Sequence, residues 1–296
     1  MFGDDVFLRP EVATVRGEAL HFWRIGRDRA DRGFPETVLL LHGLGGDHVG
    51  LAELAELLDE YDVVVPDLPG FGDSAALAGA HTLSAYAEAV DGLREWLGLD
   101  RFHLVGHSLG ASIALVYAAR FGAHLDGLCL LNPVSTASGP TAWLGRSYYR
   151  IAALAPAWFA RLWLVSRPAV ALSDAFVIVT EDRARRRWIL RQDYRNYRRS
   201  CLRAMVESFL SYFDTPFDEL AAEIAAPALV ITGDRDGIAP PAEVSALAGR
   251  IPTATLLIVP GGGHLLPVED PDLVGTAVRE FLADLRLGRM AVAEGE

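Results

Sequence analysis

The sequence has few cysteines and lacks any long, uninterrupted apolar segment. Two cysteines in 296 residues, Cys129 and Cys201, give neither a disulfide framework nor the spacing of metal ligands, so we expect a reducing compartment and no metal site. No run reaches the roughly 18 apolar residues that span a bilayer. Because the first residues carry acids and form no apolar signal segment, the sequence predicts a cytoplasmic protein without a membrane span.

Positive charge is scarce, and lysine is absent. The chain has 27 basic residues, all arginine, against 39 acids, which leaves a formal net charge of −12. A molecule with this balance repels a phosphate backbone, so we exclude nucleic-acid binding. With 51% hydrophobic and 22% charged residues, the composition is that of a globular protein with one large domain, or one domain that carries an insertion.

Short apolar runs that end in Gly, Pro, Asp or His recur along the chain. Two alternating segments around Arg16 and Gly17 predict an antiparallel hairpin. The later runs are continuous, as in strands that are buried on both faces of a parallel sheet. They are TVLLLHG (37–43), DVVVPD (62–67), FHLVGH (102–107), LDGLCLLNP (125–133), PALVITGD (227–234) and TLLIVPGGGH (255–264). Helical spacing between most of them predicts an α/β fold with a doubly wound, mostly parallel sheet.

This alternation of strands and helices stops between Asn132 and about Phe217. The interval holds four of the six tryptophans and has helical patterning. We therefore predict a helical lid subdomain at residues 134–216, inserted between the core segments 1–133 and 217–296. Since ligands bind beyond the carboxyl ends of parallel strands, where the insertion begins, we expect it to cover the site.

One motif, VGHSLGAS at residues 105–112, has the G-x-S-x-G spacing. An apolar strand precedes it and a helical segment follows it, which is the context of a nucleophile elbow. The small residues Gly106 and Gly110 permit a strained turn that presents Ser108 at the start of a helix. The alternative is an ordinary turn that is rich in small residues.

A serine nucleophile needs a base. If the elbow belongs to a hydrolase fold, the acid and then the histidine follow the serine along the chain. His264 follows the last predicted strand, whereas His107, next to Ser108, is expected to point its side chain away from the serine. For the acid, Asp234 and Asp236 both follow an earlier strand. Spacing does not separate them, although Asp236 lies further from the strand.

Two backbone amides are candidates for an oxyanion hole. One belongs to Leu109, at the start of the helix after the elbow. The other belongs to Leu44, in the glycine-rich loop HGLGGDH at residues 42–48. The glycines of this loop are also compatible with a simple turn.

Five motifs together resemble the α/β-hydrolase fold superfamily, in the form of a serine hydrolase with a helical cap. They are LLHGLGG (40–46), VPDLPGFGDS (65–74), VGHSLG (105–110), ITGDRDGIAP (231–240) and GGGHLLPVEDP (261–271). The resemblance implies that Ser108 is the nucleophile, His264 the base and Asp236 the acid, with Leu44 and Leu109 at the oxyanion positions. It also implies a cofactor-free reaction.

The details of this resemblance assign the acid and show one departure. Gly233, Asp236 and Pro240 match the family's G-x-x-D-x-x-x-P pattern, which leaves Asp234 as a loop residue. Ala111 stands where many members of the superfamily carry a second glycine. The turn does not depend on that position.

Substrate choice is expected to depend on the insertion. Residues 141–165 are rich in aromatic and aliphatic side chains, so we predict that Trp143, Trp158 and Trp163 line an apolar cleft. The alternative is that they pack the insertion onto the core. Because Pro156 interrupts the segment and few basic residues flank it, we disfavour a helix that lies on a membrane.

Arginines recur every four residues from 183 to 203. Like charges at this spacing destabilise a helix, so we expect a negative partner to offset them. That partner is either the acidic core of the protein itself, with solvent, or an anionic substrate or carrier such as a carboxylate, a CoA phosphate or an acyl carrier protein. The six residues are Arg183, Arg187, Arg191, Arg195, Arg199 and Arg203.

Together these features predict a serine hydrolase that cleaves a carboxylic ester, or a related acyl bond, of a small hydrophobic substrate. The same residues are compatible with carbon–carbon bond hydrolysis in a diketone-like substrate, and with thioester hydrolysis or acyl transfer. A hydrolase-like protein that only binds a ligand is the non-enzymatic alternative. The pattern does not predict an oligomeric state.

Overall fold

A computed structural model describes residues 9–26, 36–135 and 139–288 of the chain. Its centre is a sheet of eight strands in the order β1-β2-β4-β3-β5-β6-β7-β8. The strands are β1 (Glu11–Val15), β2 (Glu18–Ile25), β3 (Thr37–Leu41), β4 (Asp62–Pro66), β5 (Phe102–His107), β6 (Leu125–Leu131), β7 (Ala228–Gly233) and β8 (Ala254–Val259). The strands β1 and β2 form an antiparallel hairpin, β2 also pairs antiparallel with β4, and the other neighbours are parallel. The predicted fold class is therefore confirmed.

Residues 1–8, on which the expectation of no signal segment rests, lie outside the described residues.

Twelve helices are described along the chain. They are α1 (Ala52–Leu57), α2 (Leu83–Leu97), α3 (Leu109–Phe121), α4 (Gly139–Leu154), α5 (Ala157–Val165), α6 (Arg167–Val177), α7 (Arg183–Arg199), α8 (Leu202–Ser211), α9 (Phe217–Ala222), α10 (Pro241–Ala248), α11 (Leu266–Glu269) and α12 (Pro271–Arg286). None of those described is long and apolar enough to cross a membrane.

Helices cover the sheet on both faces, and the alternation along each strand explains why. In β3, Leu39 and Leu41 pack into a cluster with α2 and α3, whereas Val38 and Leu40 pack on the opposite face with α1 and α12. Successive side chains of a strand point to opposite faces, so a continuous apolar run needs cover on both sides. The carboxyl ends of the parallel strands remain uncovered by this packing and are available to a site.

The helices α4 to α8 form a helical insertion between β6 and β7. The insertion has a small apolar cluster of its own, around Ala160, Leu164 and Val206. It also joins the loops at the carboxyl edge of the sheet, since the amide of Cys201 donates a hydrogen bond of 2.7 Å to the carbonyl of Gly70. The exact division into 1–133, 134–216 and 217–296 stays a prediction.

Three of the six regularly spaced arginines contact the core. The guanidinium of Arg195 lies 3.7 Å from the carboxylate of Asp47, and Arg199 forms an ion pair with Asp73. Arg203 donates to the carbonyl of Leu77. These contacts favour the interpretation in which this part of the array faces the acidic core.

Candidate active site

Ser108 lies in a sharp turn between β5 and α3. Its backbone has φ +51° and ψ −113°, in the region that residues with a side chain rarely adopt. The amide of Ser108 donates to the carbonyl of Leu131 at 2.9 Å, and its own carbonyl accepts the amide of Ser112 at 3.0 Å. The turn thus holds the serine beyond the carboxyl end of the sheet, as an elbow does.

The two glycines beside this turn are required by close backbone packing. A Cβ at Gly106 would lie 2.2 Å from the carbonyl oxygen of Gly110, and a Cβ at Gly110 would lie 2.3 Å from that of Leu41. Both obstacles are backbone atoms, which cannot turn aside as a side chain can. The spacing of glycines therefore lets α3 begin against the end of β3.

The structure brings Ser108, His264 and Asp236 together in one hydrogen-bonded series. The hydroxyl of Ser108 donates to Nε2 of His264 at 2.8 Å, and Nδ1–H of His264 donates to Asp236 at 2.9 Å (Oδ2) and 3.1 Å (Oδ1). All three side chains are buried, and Ser108 exposes 8% of its surface. This tautomer leaves Nε2 free to accept the serine proton.

Hydrogen bonds hold both oxygens of Asp236. The amides of Ile238 and Ala239 donate to Oδ1 at 2.8 Å each, and Asn132 donates to Oδ2 at 2.8 Å. Burial acts to raise the pKa of Asp236, but the hydrogen bond and charge of His264 and these further donors outweigh it, so the pKa is lowered. The carboxyl group beside His264 is therefore ionised at neutral pH.

Asp234 has a different surrounding. Its side chain is exposed, and Oδ1 accepts a hydrogen bond of 2.7 Å from the amide of Gly261, in the loop that leads to His264. Of the two acids that spacing leaves open, Asp236 is the one in contact with the imidazole.

Asn132 is a site residue that the sequence analysis does not identify. It has φ +48°, follows β6, and donates both to Asp236 and to the carbonyl of Gly263 at 3.0 Å. Its side chain thereby joins the acid to the backbone next to His264. One feature of the sequence could have identified Asn132: it is a polar residue directly after β6. The residues of a site in an α/β sheet usually lie at the carboxyl ends of such strands.

His107 supports the backbone of His264. Its Nε2–H donates to the carbonyl of His264 at 2.8 Å. Burial, together with the charge of His264, lowers the pKa of His107 to about 4, so its ring is neutral at pH 7. The sequence predicts that this side chain points away from Ser108, but it does not predict the contact with His264.

The loop after β3 lies directly beside the elbow. A Cβ at Gly43 would be 3.2 Å from Nδ1 of His107 and 3.3 Å from the Cβ of Ser108, so the backbone before Leu44 approaches the elbow closely and leaves little room for a side chain. The amide of Leu109 belongs to the first turn of α3, where helix amides have no partner within the helix. The segments that carry Leu44 and Leu109 thus meet at Ser108, and their role at an oxyanion stays a prediction.

Buried polar groups anchor this loop from below. Nε2 of His42 accepts the amide of Leu68 at 2.9 Å, and Asp67 accepts both the amide and Nδ1–H of His48, at 2.8 and 2.9 Å. Burial acts to raise the pKa of Asp67, and the hydrogen bond and charge of His48 lower it further than burial raises it. The loops after β3 and β4 are therefore held together by an ionised carboxylate.

The helical insertion covers the site at two points. A Cβ at Gly45 would lie 2.6 Å from the ring of Tyr197, and one at Gly263 would lie 2.6 Å from a methyl group of Val179. The segment around Val179 is held by Glu269. The insertion thus lies over both the loop of Leu44 and the loop of His264.

The three tryptophans that are predicted to line an apolar cleft are not among the side chains of this cover. Trp143 and Trp158 expose 69% and 71% of their surface, so most of each indole faces solvent and not a closed cleft. Trp163 exposes 37% and packs on Phe159 and Tyr148 within the insertion. The side chains of the insertion that lie against the site loops are instead Val179 and Tyr197.

Within residues 9–26, 36–135 and 139–288, His, Cys, Asp and Glu do not gather in a group of three or more that could hold a metal ion.

The sheet order, the elbow at Ser108 and the helical insertion are those of an α/β-fold hydrolase. A family model described as alpha/beta hydrolase fold matches residues 36–271, and the chain belongs to that family. The protein is thus an enzyme of the hydrolase class, as the sequence predicts.

Individual relatives are similar over most of the chain. The putative carbamate hydrolase RutD of Caulobacter sp. (strain K31) is 29% identical over 264 residues, which cover 84% of this chain and 91% of RutD. Protein ABHD8 of Homo sapiens is 29% identical over 254 residues, and the match spans 83% of this chain and only 55% of ABHD8. A thermophilic esterase from Thermogutta terrifontis, solved with malate bound, has a TM-score of 0.77 at 26% identity and covers 94% of this chain and 99% of its own.

Proposed function

We propose that the protein is a serine hydrolase that cleaves a carboxylic ester, or a related acyl bond, of a small hydrophobic substrate. The observation that carries the proposal is the hydrogen-bonded series from the Ser108 hydroxyl through His264 to Asp236. A serine hydroxyl is inert at neutral pH unless a base takes its proton, and an imidazole oriented by a carboxylate is the usual base.

The first half of the reaction forms an acyl-enzyme. Oγ of Ser108 attacks the carbonyl carbon while its proton passes to Nε2 of His264, and Asp236 stabilises the imidazolium. The amides of Leu44 and Leu109 donate to the carbonyl oxygen as it becomes negative. The tetrahedral intermediate collapses when the bond to the leaving oxygen breaks, and that oxygen takes the proton from His264.

The second half regenerates the enzyme. Water attacks the carbonyl carbon of the acyl-enzyme as Nε2 of His264 takes one of its protons. The bond to Oγ then breaks, Ser108 recovers a proton from His264, and the carboxylic acid leaves. No cofactor is needed for either half, because the protein supplies the nucleophile, the base and the oxyanion donors.

Two observations support a hydrophobic acyl substrate. The side chains of the insertion that lie against the site loops, Val179 and Tyr197, are apolar and aromatic, and the buried Leu109 and half-buried Leu44 flank the serine. Apolar walls with a few polar groups are typical of small-molecule sites. The names of two relatives, a putative carbamate hydrolase and an esterase, also describe hydrolysis at an acyl carbonyl.

The helical insertion has a role in the proposed function, as a lid over the site. Residues 134–216 act as a lid over Ser108, while residues 1–133 and 217–296 form the core. Because Ser108 is buried and the insertion lies against the loops beside it, we expect the lid to move when substrate enters. The proposed location of the enzyme is the cytoplasm.

Replacement of Ser108 by alanine tests the proposal. We expect Ser108→Ala to lower kcat for p-nitrophenyl esters by at least about 10⁴-fold and to abolish labelling by a fluorophosphonate, because no other group supplies the attacking oxygen. Steady-state kinetics with esters of graded chain length, a thioester and a vinylogous diketone also separate ester hydrolysis from its alternatives.

Ser112→Ala is the matched control. Ser112 is buried one turn further along α3, and its hydroxyl donates to the carbonyl of Val134 at 2.7 Å and, at 3.3 Å, to the backbone carbonyl of Ser108. Its loss costs about 1 kcal/mol of stability and leaves ester turnover near the wild-type rate. Ester hydrolysis that persists at the wild-type rate in Ser108→Ala would refute the proposed nucleophile.

A further inference from the structure

The helices α4 and α5 of the insertion expose an unusual amount of apolar surface. Leu154 exposes 88% of its surface, Trp158 71% and Trp143 69%. An isolated exposed leucine is ordinary, but a group of large exposed side chains marks an interaction surface. We name this group the apolar face, and its members are Trp143, Leu144, Ile151, Leu154, Trp158 and Leu162.

These side chains share one side of each helix. In α4, positions 143, 151 and 154 recur at helical spacing, and in α5 Trp158 and Leu162 are four residues apart. The opposite sides hold the insertion together: Tyr149 stacks on Phe209 with ring centroids 3.8 Å apart, and Ala160 is buried. The apolar face is thus not used in packing the insertion onto the core.

Pro156 does not interrupt this face. The helix α4 ends at Leu154 and α5 begins at Ala157, so the proline lies in the short link between them. Leu154 and Trp158 stand on either side of the link, and both are exposed. The two helices therefore present neighbouring parts of one surface, which removes the first of the two reasons against a membrane-lying segment, the interruption by Pro156.

The segment that carries the apolar face has charge of one sign. Residues 139–173 contain four arginines and no aspartate or glutamate, in a chain with a net charge of −12. Arg150 and Arg161 are exposed beside the apolar side chains. Segments that lie at the interface of an anionic bilayer typically expose Trp and Leu side chains among arginines and lack acids.

We propose that the apolar face docks the protein peripherally on a bilayer that contains anionic phospholipids. The indoles and leucines enter the headgroup region, and the arginines face the lipid phosphates. A second copy of the chain fits this face less well, because a two-fold interface would bring the arginines of both copies together without an acid to offset them. The proposal concerns binding alone and does not depend on the proposed esterase activity.

Flotation of the full chain with lipid vesicles tests the proposal. One set of vesicles is phosphatidylcholine, and the other contains one quarter phosphatidylglycerol. We expect the protein to float with the phosphatidylglycerol vesicles, to bind phosphatidylcholine at least about tenfold more weakly, and to be released as sodium chloride is raised. Tryptophan emission should shift to shorter wavelength on binding.

Two double variants probe the two components of the face. Leu154→Ser with Leu162→Ser removes exposed apolar surface, and Arg150→Gln with Arg161→Gln removes charge. Each should weaken flotation by about tenfold or more. Leu287→Ser is the matched control, because Leu287 is 60% exposed at the end of α12, away from the insertion. The control should float as the wild type does.

The proposal is overturned if the wild type fails to float with anionic vesicles at low salt, or if the leucine variant floats as well as the wild type. A second result would also overturn it: the wild type sediments as a dimer and does not bind vesicles, and the leucine variant sediments as a monomer. The apolar face would then join two copies of the chain. Binding to an acidic carrier protein, without binding to vesicles, contradicts it as well. A circular dichroism spectrum equal to that of the wild type shows that each variant is folded.

Discussion

At the scale of single residues, the arrangement around Asp236 explains why one of two neighbouring acids contacts the imidazole. Asp236 follows a turn that aims its side chain inward, where backbone amides and Asn132 hold it. Asp234 points outward to the amide of Gly261. Because a carboxylate that accepts several hydrogen bonds stays ionised even when it is buried, Asp236 is the acid that can stabilise an imidazolium.

We expect Asp236→Asn to lower kcat by about 10³- to 10⁴-fold, since an amide neither stabilises the imidazolium nor fixes the tautomer in which Nδ1 carries the proton. Asp234→Asn is the matched comparison, two residues away, and should keep kcat within about threefold, because it changes only an exposed loop contact. Steady-state kinetics on one ester decides between them. Equal losses in the two variants would contradict the assignment.

At the scale of elements, the link between α6 and α7 is attached to the core by one carboxylate. Oε1 of Glu269 accepts the amides of Val179 and Thr180 at 2.7 Å each. Val179 in turn touches the loop of His264 at Gly263. The carboxylate thus couples the position of the insertion to the loop that carries the histidine.

Loss of this acceptor should loosen the link. We expect Glu269→Ala to accelerate hydrogen exchange at the amides of Val179 and Thr180 by about tenfold or more, because two hydrogen bonds to a charged group are lost. Glu269→Gln keeps an acceptor oxygen and should show a smaller change. Amides of α2 serve as the internal reference, and exchange at Val179 that is unchanged in Glu269→Ala would rule out the anchoring role.

At the scale of the whole molecule, the insertion contains two neighbouring acids, one buried and one partly buried, that work against stability at neutral pH. Asp174 on α6 is 3% exposed and lies beside Asp193 on α7. Burial raises the pKa of Asp174 to about 6, against the lowering effects of Asp193 and Arg186. Burial and the charge of Asp174 raise the pKa of Asp193 well above its usual range, and Asp47 adds to the effect. The pair therefore retains a proton in the folded state.

The sign of the pH dependence follows from these raised pKa values. The folded protein holds the proton more tightly than the unfolded chain, whose aspartates titrate at about 3.9, so stability is lost as the pH rises above that value and through the folded pKa. In Asp193→Asn only Asp174 still titrates in this pair. We expect its free energy of unfolding, relative to the wild type, to rise between pH 5 and pH 8, because the raised pKa of Asp193 no longer contributes.

Denaturant unfolding at the two pH values measures this difference. Asp218→Asn is the control, because Asp218 forms an exposed ion pair with Arg250 on the core surface. Its effect should be small and nearly independent of pH. A constant offset for Asp193→Asn across the range would show that the pair carries no extra proton.

The sequence by itself determined the sheet, the elbow and the order of the candidate residues. Continuous apolar runs indicate strands that are covered on both faces. The glycines at 106 and 110 indicate close backbone contacts that leave no room for a Cβ. These signals are local, or repeat along the chain, so they can be read without coordinates. The tryptophans of residues 141–165, by contrast, indicate an apolar surface, but the sequence does not show whether that surface faces the site or the solvent.

Only the tertiary structure decided which side chains meet. Asn132, Asp236 and His264 lie on three separate loops, and their contacts depend on how the strand ends align across the sheet. The choice of Asp236 over Asp234 depends on the turn, and the exposure of Trp158 depends on which side of α5 packs on the insertion. Spacing along a chain sets the period of a helix or strand, but the side that is buried is set by the elements that pack against it.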